Sequence, residues 1–241
     1  MSNLPWNPYP DNTRRKSGVS FGQYHSETDF GLILQPYSIP LPEVKTEYID
    51  IPGADGSIDL SEILGDVCFS DRVFKLTLKK LDRARAWEDL ITPVANATHG
   101  RRLHIVFDSD PDFYFIGRCR LLDLVPQRAV ATVSIELRCE PYKYQEITRD
   151  VALPAQTNAS ATVFLPGSRK RVHPVVTNNV ACRIKWGDAA GESIEYSAGT
   201  HDLTSFTVPL ETKPIEVINL APQAASAVQP VVTIKYTRGI L

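Results

Sequence analysis

Alternation of apolar and polar positions runs through most of this chain and predicts a mainly β protein. From Arg72 to Leu78, Phe74, Leu76 and Leu78 fall on one face of an extended strand and Lys75 and Thr77 on the other. The same period of two recurs from Val130 to Cys139, where Val133, Ile135, Leu137 and Cys139 share a face. Shorter β-prone runs, Val19 to Tyr24, Phe30 to Leu34 and Thr46 to Ile51, come before these two. Leu103 to Phe107 and Phe113 to Cys119 flank the acidic turn Asp108-Ser109-Asp110-Pro111-Asp112 and predict a hairpin. One segment departs from the pattern: between Lys80 and Thr98, Leu81, Ala84, Trp87, Leu90, Ile91 and Val94 recur at the spacing of one helix face. Pro93 inside it predicts a kink, or a second short helix capped by Thr92, and Gly100 predicts a left-handed end. The first half is therefore expected to be an antiparallel β-sandwich or split barrel with one α-helix, at about 80–98, packed on it.

From Asp150 onward Pro, Ala, Asn, Ser and Gly punctuate short β-runs: Ala161 to Leu165, Val172 to Thr177, Val180 to Trp186, Ser193 to Tyr196, Ser205 to Val208, Ile215 to Asn219 and Val231 to Thr237. That spacing predicts a second, all-β sandwich with no competing helix. The break falls at Glu140-Pro141-Tyr142-Lys143-Tyr144. Pro141 cannot donate a ladder hydrogen bond and ends the preceding strand, and the two tyrosines are expected to pack with their hydroxyls in water. The domains are thus read as 1–144 and 145–241.

Between the early strands lies Ile51-Pro52-Gly53-Ala54-Asp55-Gly56-Ser57-Ile58-Asp59-Leu60-Ser61-Glu62, followed by Gly65, Asp66 and Ser70-Asp71-Arg72. Pro-Gly and Asp-Gly supply positive-φ turn positions, and the Ser/Asp-rich bend has side-chain oxygens able to cap a short helical turn. Taken with the Trp87-bearing helix, the His-Gly end, the acidic Asp-Pro turn, the aromatic strand with Gly117-Arg118 and the segment Pro141-Tyr142-Lys143-Tyr144, this order of elements resembles the distal tail proteins of long-tailed siphophages. The signature residues are Pro52, Gly53, Asp55, Gly56, Asp59, Asp71, Arg72, Trp87, Pro141, Tyr142 and Tyr144.

The resemblance implies a structural, non-enzymatic protein of the virion tail tip, made and assembled in the host bacterial cytoplasm. It implies a homo-hexameric ring built by the first domain, partnered by the major tail tube protein and by tail-associated hub or fibre proteins, with DNA passing through the lumen without specific binding. It also implies a galectin-like or carbohydrate-module-like second domain, a statement about fold that does not by itself establish sugar binding. Two other readings stand beside the hub. One is a carbohydrate-binding adhesin or receptor-binding accessory that contacts a host glycan or receptor-binding protein through the second sandwich. The other is a hub subunit of a phage-derived bacterial secretion machine.

Charge and composition narrow the field. The chain has 26 basic and 28 acidic residues, and its basic runs, Arg14-Arg15-Lys16 and Arg169-Lys170-Arg171, are short and sit in polar loops. No nucleic-acid or anionic-membrane binding is expected from that balance. No run reaches the ~20 apolar residues of a membrane helix, and the polar, proline-rich start lacks a secretory pattern, so no membrane insertion is expected. The four cysteines, Cys68, Cys119, Cys139 and Cys182, are widely spaced and are read as reduced thiols.

The chemical candidates are few. Asp108, Asp110 and Asp112 imitate the start of a calcium loop, but Phe113 stands where that loop needs Gly and Cys119 where it needs Glu. His99 and His104 flank a turn and the other histidines are scattered, with no pair at metal-ligand spacing. No metal, cofactor or catalytic residue is expected. Trp186 and Tyr196 are candidate glycan contacts, since an aromatic face packs on a pyranose, or else they fill the sandwich core. Trp6 and Tyr9, on the proline-rich N-terminal arm, are candidate anchors onto a neighbouring subunit, or else pack on their own domain.

Overall fold

The computed structural model describes residues 18–53, 55–63, 65–80, 86–125, 131–187, 191–221 and 229–241. Trp6 and Tyr9 lie outside the described residues. The chain divides into two compact units, one ending at Lys143 and including Leu241, the other running from Tyr144 to Ile240.

In the first unit the strands are β1 (Val19–Phe21), β2 (Tyr24–His25), β3 (Leu32–Leu34), β4 (Tyr48–Asp50), β5 (Ser57–Asp59), β6 (Arg72–Lys80), β7 (Arg102–Phe107), β8 (Phe115–Val125) and β9 (Thr132–Cys139), with α1 (Trp87–Thr98) between β6 and β7. Seven of them form one antiparallel sheet in the order β2-β1-β7-β8-β9-β6-β3. Its inward face is the alternation read from sequence: Phe74, Leu76 and Leu78 of β6 and Val133, Ile135, Leu137 and Cys139 of β9 are all buried. Leu90, Val94 and Ala97 of α1 join the same core.

The early runs 19–24 and 30–34 do not pair with each other. β1 pairs with β2 and β7, and β3 pairs with β6, at the far side of the sheet. Ser26 links the two regions. Its amide donates to the Val19 carbonyl at 2.9 Å, its hydroxyl accepts from the Val19 amide at 3.1 Å, and its carbonyl accepts from Leu32 at 2.8 Å. A buried serine thus supplies the partners that two short edges would otherwise lack.

The helix is shorter than its periodicity suggested. Lys80 closes β6, residues 81–85 are outside the described residues, and α1 starts at Trp87 with Ala86 as an uncapped N-cap. Pro93 neither divides it nor starts a second helix. It is exposed, so the helix turn to which it brings no backbone N–H faces water. Gly100, at φ 74°, follows the His99 C-cap.

The second unit holds β10 (Lys143–Ala152), whose first residue belongs to the first unit, β11 (Ser160–Leu165), β12 (Val175–Asn178), β13 (Cys182–Trp186), β14 (Ser193–Tyr196), β15 (Gly199–Asp202), β16 (Lys213–Asn219) and β17 (Val231–Ile240). They make two four-stranded sheets, β10-β17-β12-β15 and β11-β16-β13-β14. Val176, Val232 and Ile234 of one sheet and Ile184, Ile215 and Val217 of the other share a core. The molecule is mainly β, with a single helix among the described residues.

Two strand assignments change here. Ser205 to Val208 is not a strand: Phe206 and Val208 are buried, but only isolated bonds, such as the Val208 amide to the Val172 carbonyl at 3.0 Å, hold the segment. The polar run Gly199–Asp202 forms the strand β15 in its place, pairing with β12. Pro141 does end β9, yet a new ten-residue strand, β10, begins two residues later.

Candidate functional site

The signature turn lies on a separate two-stranded hairpin, β4 and β5, outside the main sheet. Gly53 and Gly56 both have positive φ, 86° and 79°, the conformations that Pro52-Gly53 and Asp55-Gly56 supply without a Cβ clash. Ile49 faces Ile58 on one side, and Tyr48 faces Asp59 beside Asp50 and Ser57 on the other. Every residue of both strands is exposed.

Beyond β5 the bend closes on itself, as turns and not as a helix. Asp59 accepts from the Ser61 amide at 2.9 Å and the Ser61 hydroxyl accepts from the Glu47 amide at 3.0 Å. Hydrogen bonds from the Ser61 side chain and backbone hold the Asp59 carboxyl below its ordinary range, so it is charged at neutral pH.

The hairpin belongs to an arm with its own chemistry. Residues 43–66 contain seven acidic side chains and one lysine, Lys45. Among the described residues, Val44, Tyr48, Ile49, Ile51, Ile58 and Ile63 of the arm account for six of the eleven exposed large apolar residues. The arm is thus strongly acidic and apolar at once, in a chain whose overall charge is only -2.

The other signature residues sit in or beside the main sheet. Arg72 is 4% exposed. Its guanidinium lies 5.4 Å over the Phe115 ring and donates to the Pro141 carbonyl. Asp71 pairs with Arg138 at 3.1 Å. Trp87 packs half-buried against the core, and the Tyr142 ring meets Phe69 edge-on at 6.0 Å. Tyr144 is fully buried in the second unit, where its hydroxyl accepts from Lys170 at 3.4 Å instead of being left in water.

On the outward face of the sheet the register assembles a feature that no single segment displays. Arg102 faces Arg118 across β7 and β8, and Arg118 faces Arg138 across β8 and β9. Like charges directly opposite one another are unfavourable, so a row of three is unusual. Carboxylates stand around its rim: Glu140 pairs with Arg102, Asp71 with Arg138, and Glu136 with Arg120 in the adjacent row. Arg118, in the middle, donates to the Gly100 carbonyl at 2.5 Å and has no ion pair among the described residues. Exposed Val73 extends the row next to Arg138. The four arginines and their three carboxylate partners border a shallow depression of about 630 Å³.

Several of the candidate metal and sugar positions make contacts within the protein. Asp108 accepts from the Gly18 amide at 2.9 Å and lies 3.3 Å from His25, while Asp110 pairs with Lys143 at 2.8 Å, so two of the three carboxylates of the acidic turn have protein partners. Trp186 packs on Phe206 at 5.5 Å and donates to Glu192 at 3.2 Å. Tyr196 stacks on His201 at 4.6 Å and donates to the Asp202 carbonyl. Tyr196 stands opposite Cys182, four residues along β13 from Trp186 or about 13 Å at strand spacing, and both aromatics fall on the face that carries buried Cys182 and Ile184.

Comparison with solved structures gives a match across nearly the whole chain. The crystal structure of the Dit protein (gp 19.1) of phage SPP1, described as a paradigm of the hub adsorption apparatus in phages infecting Gram-positive hosts, superposes with a TM-score of 0.58. The chain has a Dit-like fold. The match covers 91% of this chain and 98% of the SPP1 protein at 13% sequence identity. No family model and no curated protein sequence matches. At that identity the likeness is one of fold, carried by burial pattern and strand order, which tolerate wide substitution when patterning is kept.

Proposed function

We propose that this protein is the distal tail hub of a siphophage virion, a ring of six copies at the tail tip joining the tail tube to the tip or baseplate. The observation that carries the reading is the extent of the match: both units align with a hub adsorption protein over 98% of its length. Agreement between that fold and the order of signature residues, from Pro52 to Tyr144, adds to it.

A closed ring needs head-to-tail contacts, so each subunit must present two different, complementary surfaces. The first unit has two candidates of opposite character, the acidic arm and the arginine row. In this reading the tube protein and the tail-associated hub or fibre proteins bind the ring, and DNA passes through its lumen without sequence-specific contacts. The function is mechanical, with no reaction to catalyse.

Light scattering after size exclusion, together with negative-stain images, tests it. Open-centred particles of six subunits are expected. A monomer at every concentration, and with the tube protein added, would overturn the hub reading.

A further inference from the structure

We propose that the arm spanning residues 43–66 of one subunit lies on the arginine row of its neighbour, a second copy of this chain. The inference rests on the ring reading and adds to it the two surfaces that close the ring.

Three observations support it. First, an isolated two-stranded hairpin is marginally stable in water, and this one exposes apolar residues on both faces, so it needs a surface to cover it. Second, the charges are complementary. The arm carries seven acidic residues against one lysine, while the sheet face presents Arg102, Arg118, Arg120 and Arg138 against Asp71, Glu136 and Glu140, an excess of one positive charge centred on Arg118. Third, the spacing fits. Asp50 and Asp59 share the Tyr48 face of the hairpin, diagonal neighbours about 7–8 Å apart, and arginines on adjacent strands stand about 5 Å apart, so the row spans roughly 10 Å.

The contact then has a defined chemistry. Asp50 and Asp59 meet the Arg102–Arg118–Arg138 row, whose middle member has no carboxylate of its own among the described residues. Tyr48 covers exposed Val73 and the arginine stems, the residue types enriched in interface centres. Asp71, Glu136 and Glu140 hold three of the four guanidinium groups in place before docking. The same carboxylates count against a nucleic-acid phosphate backbone as occupant, because a continuous polyanion would run past all three. A protein surface with a few spaced carboxylates avoids them.

A mixing experiment tests the contact. In one variant Asp50→Lys and Asp59→Lys reverse the arm, and in another Arg118→Glu and Arg138→Glu reverse the face. Each alone is expected to lose the ring, with subunit association weakened at least about tenfold by like charges in contact. Mixed in equal amounts, the two are expected to restore rings of alternating subunits, because each reversed arm then meets a reversed face. Restoration also shows that both variants fold.

Wild-type rings that persist in both variants would overturn the arm-to-face contact and leave the ring reading standing. Variants that lose the ring and fail to recover it on mixing, though their melting temperatures match the parent's, would overturn it as well. A wild type that never assembles would overturn the ring reading and this contact together. Rings retained by the face-reversed variant with loss of salt-dependent binding to a double-stranded DNA fragment would reassign the row to nucleic acid.

Discussion

The guanidinium of Arg72 donates to the carbonyl of Pro141, a residue 69 positions later in the chain. Arg72 opens β6, and Pro141 lies two residues past the end of β9, with Arg72 paired directly to Cys139. The bond ties the exit of the signature bend to the exit of the first unit, through a side chain that also stacks over Phe115. Two segments that a sequence reader sees as separate motifs are therefore one structural device.

Replacing Arg72 with Ala is expected to cost about 2–4 kcal/mol of first-unit stability, because it leaves the Pro141 carbonyl without its donor and a void against Phe115. Arg72→Lys should fall between, since the flat fork that both stacks and donates is lost while the charge is kept. Hydrogen exchange at the amides of β6 and β9 gives the measurement. Parent-like protection in Arg72→Ala would show that the bond is incidental.

Gly117 opposes Cys139, and a Cβ there would come within 2.4 Å of its Sγ and 2.9 Å of the Arg138 carbonyl. Neither neighbour is a flexible chain end. Gly117→Ala is expected to destabilise the first unit by about 1–3 kcal/mol through overpacking. A double variant with Cys139→Ala should recover part of the loss, and thermal melting of the parent, the two single variants and the double variant measures the recovery.

Alkaline pH should weaken the fold above about pH 9. Burial pushes the Cys119 and Cys139 thiols up to about 12, with mutual repulsion adding to the shift at Cys139, and pushes Cys182 up to about 11. The folded form holds these protons more tightly than the unfolded chain. Their contribution is therefore complete below the ordinary thiol pKa and is lost as pH rises toward 12, at up to about 1.4 kcal/mol per pH unit for each thiol. Urea midpoints between pH 8 and 11 measure the slope. Cys119→Ala is expected to flatten it for the first unit, and an unchanged slope would count against the mechanism. In the native protein a thiol reagent should label exposed Cys68 first.

Much of the fold was legible because burial follows a short period. Phe74, Leu76 and Leu78 and the alternate residues of β9 were identified as one face, and they are the core. The turn glycines were legible for a similar local reason, since Gly53 and Gly56 take the φ values that their turn needs. The arginine row was not, because Arg102, Arg118 and Arg138 become neighbours only through the register of three strands. The acidic arm could have been found by counting charge in a window from Glu43 to Asp66, but the balance over the whole chain concealed it. β15 was missed because a polar strand has no apolar alternation, and Ser205 to Val208 was assigned as strand because burial without a ladder gives the same pattern.

Trp186 offers a clean separation of the hub and adhesin readings. It packs on Phe206, donates to Glu192 and lies on the Cys182 and Ile184 side of its sheet, whereas a sugar-stacking ring must present its face to solvent. Trp186→Ala is therefore expected to lower second-unit stability by about 2–4 kcal/mol, in the range of buried aromatic truncations discounted for partial exposure. Tyr196→Ala should cost less, since its ring stacks on the half-buried side chain of His201 and not within the core. Glycan-array binding measured on the parent and on both variants decides the matter. A parent signal abolished by Trp186→Ala at unchanged melting temperature would move the second unit from scaffold to receptor-binding surface, because only a ligand contact removes binding while leaving the core intact.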